Sequence, residues 1–362
     1  MKVTFAVSDL KGLKGLAGIA SSNRNIAAWR FLLVDPSKGT ITASNDSIVQ
    51  VSRVAMKSDD QQAFLIDAER FGSIVSALPG DATLDLSVEK DSITLTSKRS
   101  RYKIQTIDIA QYSMPEKPGD IVSVSLEGAH LSCAIDSTAS FAATNDVRAC
   151  LNGVYIEHTG NTFKLTATNG HQLSHAEFEA KKASSTEHRG VLVGVDFMRS
   201  IQRHCEGEVS VFFSENKIGF ANGNTLVWGR LISHPYPDYT KLLNIPDTSV
   251  ALKPLSDLFK GAVARIRPLL SKKTTGVTLK SDGKNVLRLV IDGDLGSGED
   301  EFEVEVGQPF QTKMNANYLE NVLRIYDGAL DVFLPTTRSQ GAFFKGEIGG
   351  IRLCQVIMPM ND

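Results

Sequence analysis

Apolar side chains recur every three or four residues in three stretches of the chain, which begin at Arg70, Phe197 and Tyr318. This spacing is typical of an amphipathic helix. In each stretch a glycine follows the helical pattern, and apolar and polar residues then alternate as in a half-buried strand. The matching positions are Ile74, Ile201 and Val322, and Gly80, Gly207 and Gly328. Both sets are separated by 127 and then 121 residues, which indicates one repeat written three times.

Each repeat also opens on a helical pattern, over Leu10–Ile19, Leu126–Ile135 and Leu252–Val263. Strand-like alternation lies between the two helices, and hairpin-like alternation follows the second helix. The prediction is an α+β fold of three repeated domains, each with two helices and antiparallel sheets. Polar, proline-containing segments place the domains at residues 1–119, 120–247 and 248–362.

Composition indicates a globular protein, because 42% of the residues are apolar and 22% are charged. No apolar run approaches the ~18 residues of a membrane span. Asp9, Lys11 and Lys14 interrupt the apolar pattern of the N-terminus, which therefore does not resemble a signal peptide. We expect a cytoplasmic protein with reduced cysteines, since the four are widely spaced. The net charge of −2 means that any polyanion binding must come from local basic residues.

Five short motifs resemble those of one family. The segment ATNGHQL that starts at Ala167 is similar to A-T-D-G-H-R-L in the middle domain of the bacterial DNA sliding clamps, the beta subunits of DNA polymerase III. The segments that start at Ser97, Asn145, Tyr236 and Val356 resemble further motifs of that family. All five occur in the family's order, and the resemblance extends over residues 1–362.

The chain departs from the family pattern at three places. Asn169 stands where aspartate is usual and Gln172 where arginine is usual. The chain ends in Asn361 and Asp362, where the family usually has a basic residue and leucine. These departures concern the chemistry of the partner-binding pocket.

The resemblance implies a head-to-tail homodimeric ring around duplex DNA, with helices lining the hole. Twelve helices of ~10 Å would surround a hole of roughly 40 Å, wider than the duplex. Such a ring would tether the replicative polymerase as a processivity factor. The expected partners are double-stranded DNA without sequence preference, the polymerase III catalytic subunit, the clamp-loader complex, other proteins with clamp-binding motifs and a second copy of the chain. We expect no catalysis, cofactor, metal or membrane contact.

Weak binding to DNA phosphates needs exposed basic and polar side chains near the helices. The candidates are Arg24, Arg70, Asn145, Arg148, Arg199, Arg203, Arg265 and Arg267. For each of the arginines taken alone, the more common case is an ordinary solvated surface charge. The resemblance places Arg24 and the loop around Asn145 near DNA.

The resemblance also implies an apolar cleft for short linear peptides of partner proteins. The matching positions are Arg148, Leu151, Thr168, Gly170, His171, Leu173, Pro237, Leu242, Val356, Ile357, Met358, Pro359 and Met360. Flexible methionine side chains suit a site that accepts several partners. Without the resemblance, the segment from Val356 to Met360 would be interpreted as a closing core strand.

The joint between two chains is expected between the first and third domains. Its candidates are Arg99, Arg101, Tyr102 and Ile104 on one side, and Leu269, Leu270, Glu299, Asp300 and Glu301 on the other. Basic and apolar residues there would face acidic and apolar ones. Leu269 and Leu270 could also belong to an ordinary core.

Two alternatives remain. His171, His175 and Glu177 could hold a metal, but four residues along a strand separate the histidines by about 13 Å, too far to share one ion. A clamp-like decoy or inhibitor that does not encircle DNA is the second alternative, and the atypical last two residues motivate it.

Overall fold

The computed structural model describes residues 1–12, 15–21, 26–119 and 122–360. In these ranges the helices are α1 (Val7–Lys11), α2 (Leu16–Ser21), α3 (Ala68–Ala77), α4 (Gly128–Thr138), α5 (Val195–Gln202), α6 (Ser256–Ile266) and α7 (Ala316–Leu323). The strands are β1 (Lys2–Ala6), β2 (Phe31–Asp35), β3 (Thr40–Ser44), β4 (Ile48–Arg53), β5 (Met56–Ser58), β6 (Phe64–Asp67), β7 (Thr83–Val88), β8 (Ser92–Ser97), β9 (Ser100–Gln105), β10 (Val122–Glu127), β11 (Gly153–Thr159), β12 (Thr162–Thr168), β13 (Gln172–Glu179), β14 (Lys182–Ala183), β15 (Arg189–Gly194), β16 (Glu208–Phe213), β17 (Lys217–Asn222), β18 (Thr225–Arg230), β19 (Val250–Leu252), β20 (Gly276–Ser281), β21 (Val286–Gly293), β22 (Gly296–Glu303), β23 (Phe310–Asn315), β24 (Asp331–Leu334), β25 (Ala342–Ile348) and β26 (Ile351–Ile357).

The chain forms two compact units. The N-terminal unit consists of Met1–Gly128, Lys181–Ser185 and Arg199–Leu231, and the C-terminal unit consists of Ala129–Ala180, Thr186–Met198 and Ile232–Asp362. The N-terminal unit holds a nine-stranded sheet, β14-β10-β16-β17-β18-β4-β3-β2-β6, and a five-stranded sheet, β5-β1-β7-β8-β9. The C-terminal unit holds an eight-stranded sheet, β15-β11-β12-β13-β26-β25-β24-β19, and a four-stranded sheet, β22-β21-β20-β23. The antiparallel α+β fold predicted from the sequence is confirmed.

Each large sheet joins strands that are far apart in the sequence. In the N-terminal unit β18 pairs with β4, with Trp228 opposite Val49. In the C-terminal unit β13 pairs with β26, with Leu173 opposite Val356. In both pairings the second strand of a hairpin, β3–β4 or β12–β13, meets the last strand of a three-stranded meander, β16–β17–β18 or β24–β25–β26.

The two smaller sheets each end in a strand with an unpaired edge, β9 and β22. Side chains alternate across a strand. On β9, Ile104 is buried whereas Arg101 and Lys103 are exposed. On β22, Phe302 is buried whereas Glu301 and Glu303 are exposed. One free edge is therefore basic and the other acidic.

N-terminal capping and a buried apolar face stabilise the helices, as α3 and α6 illustrate. Asp67 caps α3, since its side chain accepts a hydrogen bond from the Arg70 N–H at 2.9 Å, and Phe71 and Val75 are buried. On α6 the buried face includes Phe259 and Ile266. Within the described ranges, no helix combines the length and the apolar character that crossing a membrane requires.

The predicted starts of the first helices were wrong in detail. Leu126 and Leu252 lie in β10 and β19, because each pairs with a neighbouring strand, and the helices begin at Gly128 and Ser256. The apolar spacing alone does not show where the strand ends and the helix begins. The last inward residue of a strand can precede the first apolar residue of the following helix by three or four positions, which is the spacing of a helix. The predicted helix Leu10–Ile19 is divided into α1 and α2, and Lys14 lies outside the described residues.

Candidate functional site

A tight turn between β12 and β13 forms one edge of the candidate peptide cleft. The Oδ1 of Asn169 accepts hydrogen bonds from the N–H groups of His171 at 2.9 Å and Gln172 at 3.0 Å. Gly170 has a φ of +90°, a conformation that favours glycine. The His171 carbonyl accepts from the Met358 N–H at 2.8 Å, which fixes the end of β26 beside the turn. Asn169 thus makes the turn with an amide where the family has a carboxylate.

Apolar and aromatic side chains pack together on the face of the sheet that carries Leu173 and Val356. Leu173, Tyr239, Phe343, Cys354 and Val356 make a buried cluster. The partly buried side chains packed against it are Tyr155, Tyr236, Leu243, Ile245 and Phe333. The rings of Tyr155 and Tyr236 stack with centroids 4.6 Å apart. Of these ten residues, the sequence prediction included only Leu173 and Val356.

The segment after β26 lies at the surface of the cleft, since Met358, Pro359 and Met360 are half-buried. A Cβ on Gly341 would lie 3.5 Å from the Met358 sulfur, whereas a Cβ on Gly276 would lie 3.3 Å from the Met360 sulfur. The two methionines therefore have different surroundings. Gln172 and Ile357 are paired and alternate with Leu173 and Val356, so they lie on the other face of the sheet.

An ion pair between Arg148 and Asp146 lies beside the turn. A Cβ on Gly170 would lie 3.3 Å from the guanidinium of Arg148. Asp146 holds this guanidinium through two hydrogen bonds of 3.0 Å, and these bonds lower the pKa of Asp146 to about 2. Leu151, three residues after Arg148, is buried, whereas Pro237 and Leu242 are exposed. The pocket residues predicted by resemblance thus differ in burial: some are buried, the segment after β26 is half-buried, and others are exposed.

The predicted DNA-binding arginines differ in their surroundings. Arg265 makes a bidentate pair with Asp300, at 2.5 and 2.8 Å, and Arg267 pairs with Glu320. Arg199 and Arg203 are exposed, and in the described part of the chain neither lies within 4.0 Å of a carboxylate oxygen. Arg70 pairs with Asp67 at 3.0 Å, and Asn145 is exposed with a φ of +57°. Arg24 lies outside the described residues.

The predicted joint residues lie on or beside the two free edges. Arg101, Tyr102 and Ile104 belong to β9, and Arg99 directly precedes it. A groove of about 460 Å³ beside this strand is lined by Ile74, Tyr102 and Ile104 among others. Glu299, Asp300 and Glu301 belong to β22. Leu269 and Leu270 are half-buried, and a Cβ on Gly298 of β22 would lie 2.6 Å from Leu269.

The histidines of the metal alternative lie in different environments. His171 is exposed in the turn, whereas His175 is buried on β13 with its Nδ1 2.9 Å from the Thr166 hydroxyl. In the described ranges, no group of three His, Cys, Asp or Glu side chains is placed to hold a metal ion. Burial lowers the pKa of His175 to about 4, although Glu177 at 3.6 Å opposes this effect.

This buried histidine predicts a loss of stability in mild acid. Its folded pKa of about 4 lies below the ordinary value of 6.5, so the unfolded chain binds the proton first. The contribution of His175 to stability should fall as the pH drops from 6.5 towards 4, by up to about 3 kcal/mol, and change no further below that pH. Urea unfolding followed by circular dichroism at several pH values measures this. His175→Gln should flatten the profile, and His171→Gln should leave it unchanged. Equal profiles for all three proteins would contradict the prediction.

Comparisons with known proteins decide the family. The family profile described as "DNA polymerase III beta subunit, N-terminal domain" matches residues 10–115, and the profile of the central domain matches residues 125–238. Together they cover more than half of the chain. The chain belongs to the DNA polymerase III beta subunit family, the beta sliding clamps.

Curated relatives and solved structures agree with this family. The beta sliding clamp of Pseudomonas aeruginosa is 23% identical over 97% of this chain and 97% of its own length. That of Vibrio cholerae is 25% identical over 89% of this chain and 90% of its own. The crystal structure of the DNA polymerase III beta subunit from Pseudomonas aeruginosa superposes with a TM-score of 0.89 at 23% identity, over all of both chains. The function is accordingly that of a sliding clamp in DNA replication, and these matches give the decoy alternative no support.

Proposed function

We propose that two copies of this chain close into a ring around duplex DNA and tether DNA polymerase III to its template. The clamp itself performs no catalysis, and a separate clamp loader supplies the work of opening. A protein with this role acts in the cytoplasm of a bacterium. The observation that carries the proposal is the pair of free edges, β9 and β22.

These edges are the counterparts of strands that already pair within the chain. β22 ends the hairpin β21–β22, as β4 and β13 end theirs. β9 ends the meander β7–β8–β9, as β18 and β26 end theirs. Since β4 meets β18 and β13 meets β26, the expected partner of β22 is the β9 of a second copy.

The strand count and the charges support this pairing. A five-stranded sheet joined to a four-stranded sheet has nine strands, the number in the joined sheet of the N-terminal unit. The exposed basic residues of β9 would meet the exposed glutamates of β22, and opposite charges across strands are favourable. Such a joint is head-to-tail and must close on itself or grow into a filament. We propose closure with two copies.

A closed ring holds DNA by topology, so its contacts with phosphates can be weak and independent of sequence. The polymerase, the loader and other partners would insert short apolar peptides into the cleft between the β12–β13 turn and the segment after β26. Its buried cluster offers an apolar anchor site, and the Arg148–Asp146 ion pair lies beside the turn.

Retention on DNA tests the ring. Clamp placed by a loader on nicked circular plasmid should remain bound through gel filtration, and linearising the plasmid should release it. Gel filtration without DNA should show a dimer. Equal retention on circular and linear DNA, or a monomer that never associates, would contradict the ring and favour the decoy alternative.

The arginines should contribute unequally to DNA contact. Replacing both Arg199 and Arg203 with glutamine should lower the slope of log K against log salt by roughly 2, because each free phosphate contact releases about one counterion. The matched double replacement of Arg265 and Arg267 should change the slope by less than half as much, since Asp300 and Glu320 already pair with them. Fluorescence anisotropy with a short duplex at several salt concentrations measures both. Equal changes would show that these ion pairs open on DNA.

A further inference from the structure

We propose that the N-terminal unit carries a second binding cleft for a linear peptide, built on the same frame as the peptide cleft. This Trp cleft lies between the β3–β4 turn, the end of β18 and the segment Ser113–Glu116, and both tryptophans of the chain line it. The inference rests on the proposed function only for the class of ligand. Its geometry rests on hydrogen bonds that the two clefts share.

The turn of the Trp cleft repeats three hydrogen bonds of the turn of the peptide cleft. The Oδ1 of Asn45 accepts from the N–H groups of Ser47 at 2.9 Å and Ile48 at 2.7 Å. Asn169, 124 residues later, accepts from the two corresponding N–H groups. The N–H of Asn45 donates to the Ile48 carbonyl at 2.9 Å, and that of Asn169 to the Gln172 carbonyl at 3.3 Å.

The strand beside the turn is also placed in the same way. The Ser47 carbonyl accepts from the Arg230 N–H at 3.1 Å, as the His171 carbonyl accepts from the Met358 N–H at 2.8 Å. Trp228 lies opposite Val49 in the strand pair, as Val356 lies opposite Leu173. Arg230 therefore occupies the position that Met358 has in the peptide cleft.

A connecting segment closes one side of the Trp cleft. In the Trp cleft, the indole N–H of Trp29 donates to the Ser113 carbonyl and that of Trp228 to the Glu116 carbonyl, each at 3.0 Å. The ammonium of Lys217 donates to the same Glu116 carbonyl at 3.0 Å. Three side-chain donors therefore fix the segment Ser113–Glu116 in place, and the cavity is lined by this segment and by the three donor residues.

The cavity has a volume of about 660 Å³, within the range of ordinary ligand sites. Ile26 and Met114 line it and are 38% and 42% exposed, so apolar surface is available to a ligand. Apolar anchors that enter a rigid pocket provide most of the affinity of peptide ligands. The fitting anchor is a large apolar side chain, aromatic or aliphatic.

The charges of the Trp cleft select a different peptide from the one that the peptide cleft would take. Two basic and two acidic residues line the cavity: Arg230, Lys217, Asp46 and Glu116. Lys217 donates to carbonyl groups and lies 4.0 Å from the Glu116 carboxylate, whereas the exposed Arg230 has no carboxylate oxygen within 4.0 Å among the described residues. A guanidinium prefers a carboxylate partner. We therefore assign the Trp cleft to an extended peptide whose apolar anchor is followed by acidic residues.

Tryptophan fluorescence tests the assignment directly, because both tryptophans of the chain line this cleft. The probe is a short acetylated peptide in which leucine and phenylalanine precede two aspartates. The first control peptide replaces the leucine and phenylalanine with alanine, and the second replaces the aspartates with asparagine. The probe should change the emission saturably, the alanine peptide should not, and the asparagine peptide should bind about fivefold more weakly.

Two variants separate the Trp cleft from the peptide cleft. Arg230→Gln is on an exposed side chain, and it should weaken the probe about fivefold while leaving a polymerase-tail peptide unaffected. Met358→Ala should do the reverse. Failure of the polymerase-tail peptide to bind would count against the proposed function alone. No saturable emission change, a change insensitive to Arg230→Gln, or loss of probe binding in Met358→Ala would each overturn the Trp cleft.

Discussion

Replacing Arg101 and Lys103 with glutamate should convert the dimer into folded monomers and abolish retention on circular DNA. Both side chains are exposed on the free edge of β9. In the proposed joint they would face the glutamates of β22, and the change turns attraction into repulsion. Opposite or like charges across strands are worth roughly 0.2–1 kcal/mol a pair, and a ring contains two joints, so the loss amounts to a few kcal/mol. Sedimentation velocity over a concentration series measures it.

The charges of this joint can be exchanged within one chain. Adding Glu299→Lys and Glu303→Lys to the double variant should restore the dimer, because each joint then regains pairs of opposite charge. Lys2→Glu with Lys57→Glu is the matched control, since these exposed lysines lie on β1 and β5 of the same sheet, away from β9. A double variant that stays dimeric, or a quadruple variant that stays monomeric, would place the joint elsewhere.

Met358→Ala should weaken the binding of a polymerase-tail peptide by about 1–2 kcal/mol, the usual loss at an anchor position. The side chain is half-buried, and its backbone is fixed to the β12–β13 turn by the hydrogen bond to His171. Truncation therefore removes contact surface and leaves the frame in place. Isothermal titration calorimetry with the isolated peptide measures the difference.

Two controls accompany this variant. Met360→Ala changes the other half-buried methionine, which lies near Gly276, and it should have a smaller effect. Asn361 and Asp362 lie outside the described residues. We expect their removal to alter mainly the salt dependence, because a charge that borders a binding site without entering it chiefly affects association. Wild-type affinity for Met358→Ala would move the partner site away from this cleft.

Local sequence patterns predicted the parts of the fold that depend on neighbours in the chain. The alternation on either side of Lys90 and Asp91 predicts the hairpin β7–β8, and the structure confirms it. The pairing of β18 with β4 has no such signal, because Trp228 and Val49 are 179 residues apart and period-2 alternation does not name a partner strand. The prediction of a dimeric ring came from the family resemblance and not from the periodicity.

The candidate site was predicted unevenly for a similar reason. Motif matching found the turn and the terminal segment, but it missed Tyr155 and Phe343, which join the buried cluster from β11 and β25. It also missed Cys354, which lies two residues before the matched segment on β26. Tyr236 and Tyr239 lay inside a recognised motif, and their packing could have been inferred there. The pairs that occupy Arg265 and Arg267 depend on residues 35 and 53 positions away, which a single sequence does not connect.

The proposed joint differs from the two internal joints in how its strands are tethered. β4 and β18, like β13 and β26, belong to one polypeptide. When such a joint opens briefly, its two strands remain at a high effective concentration relative to each other and pair again. β9 and β22 of separate copies have no such tether, and their reassociation depends on protein concentration. Chain connectivity then decides where a loader would open the ring. This holds even if the four internal joints and the two joints between the copies were equally strong. In the proposed ring on DNA, the second joint between the copies would stay closed while the first one opens, so one opening event would not release a subunit into solution.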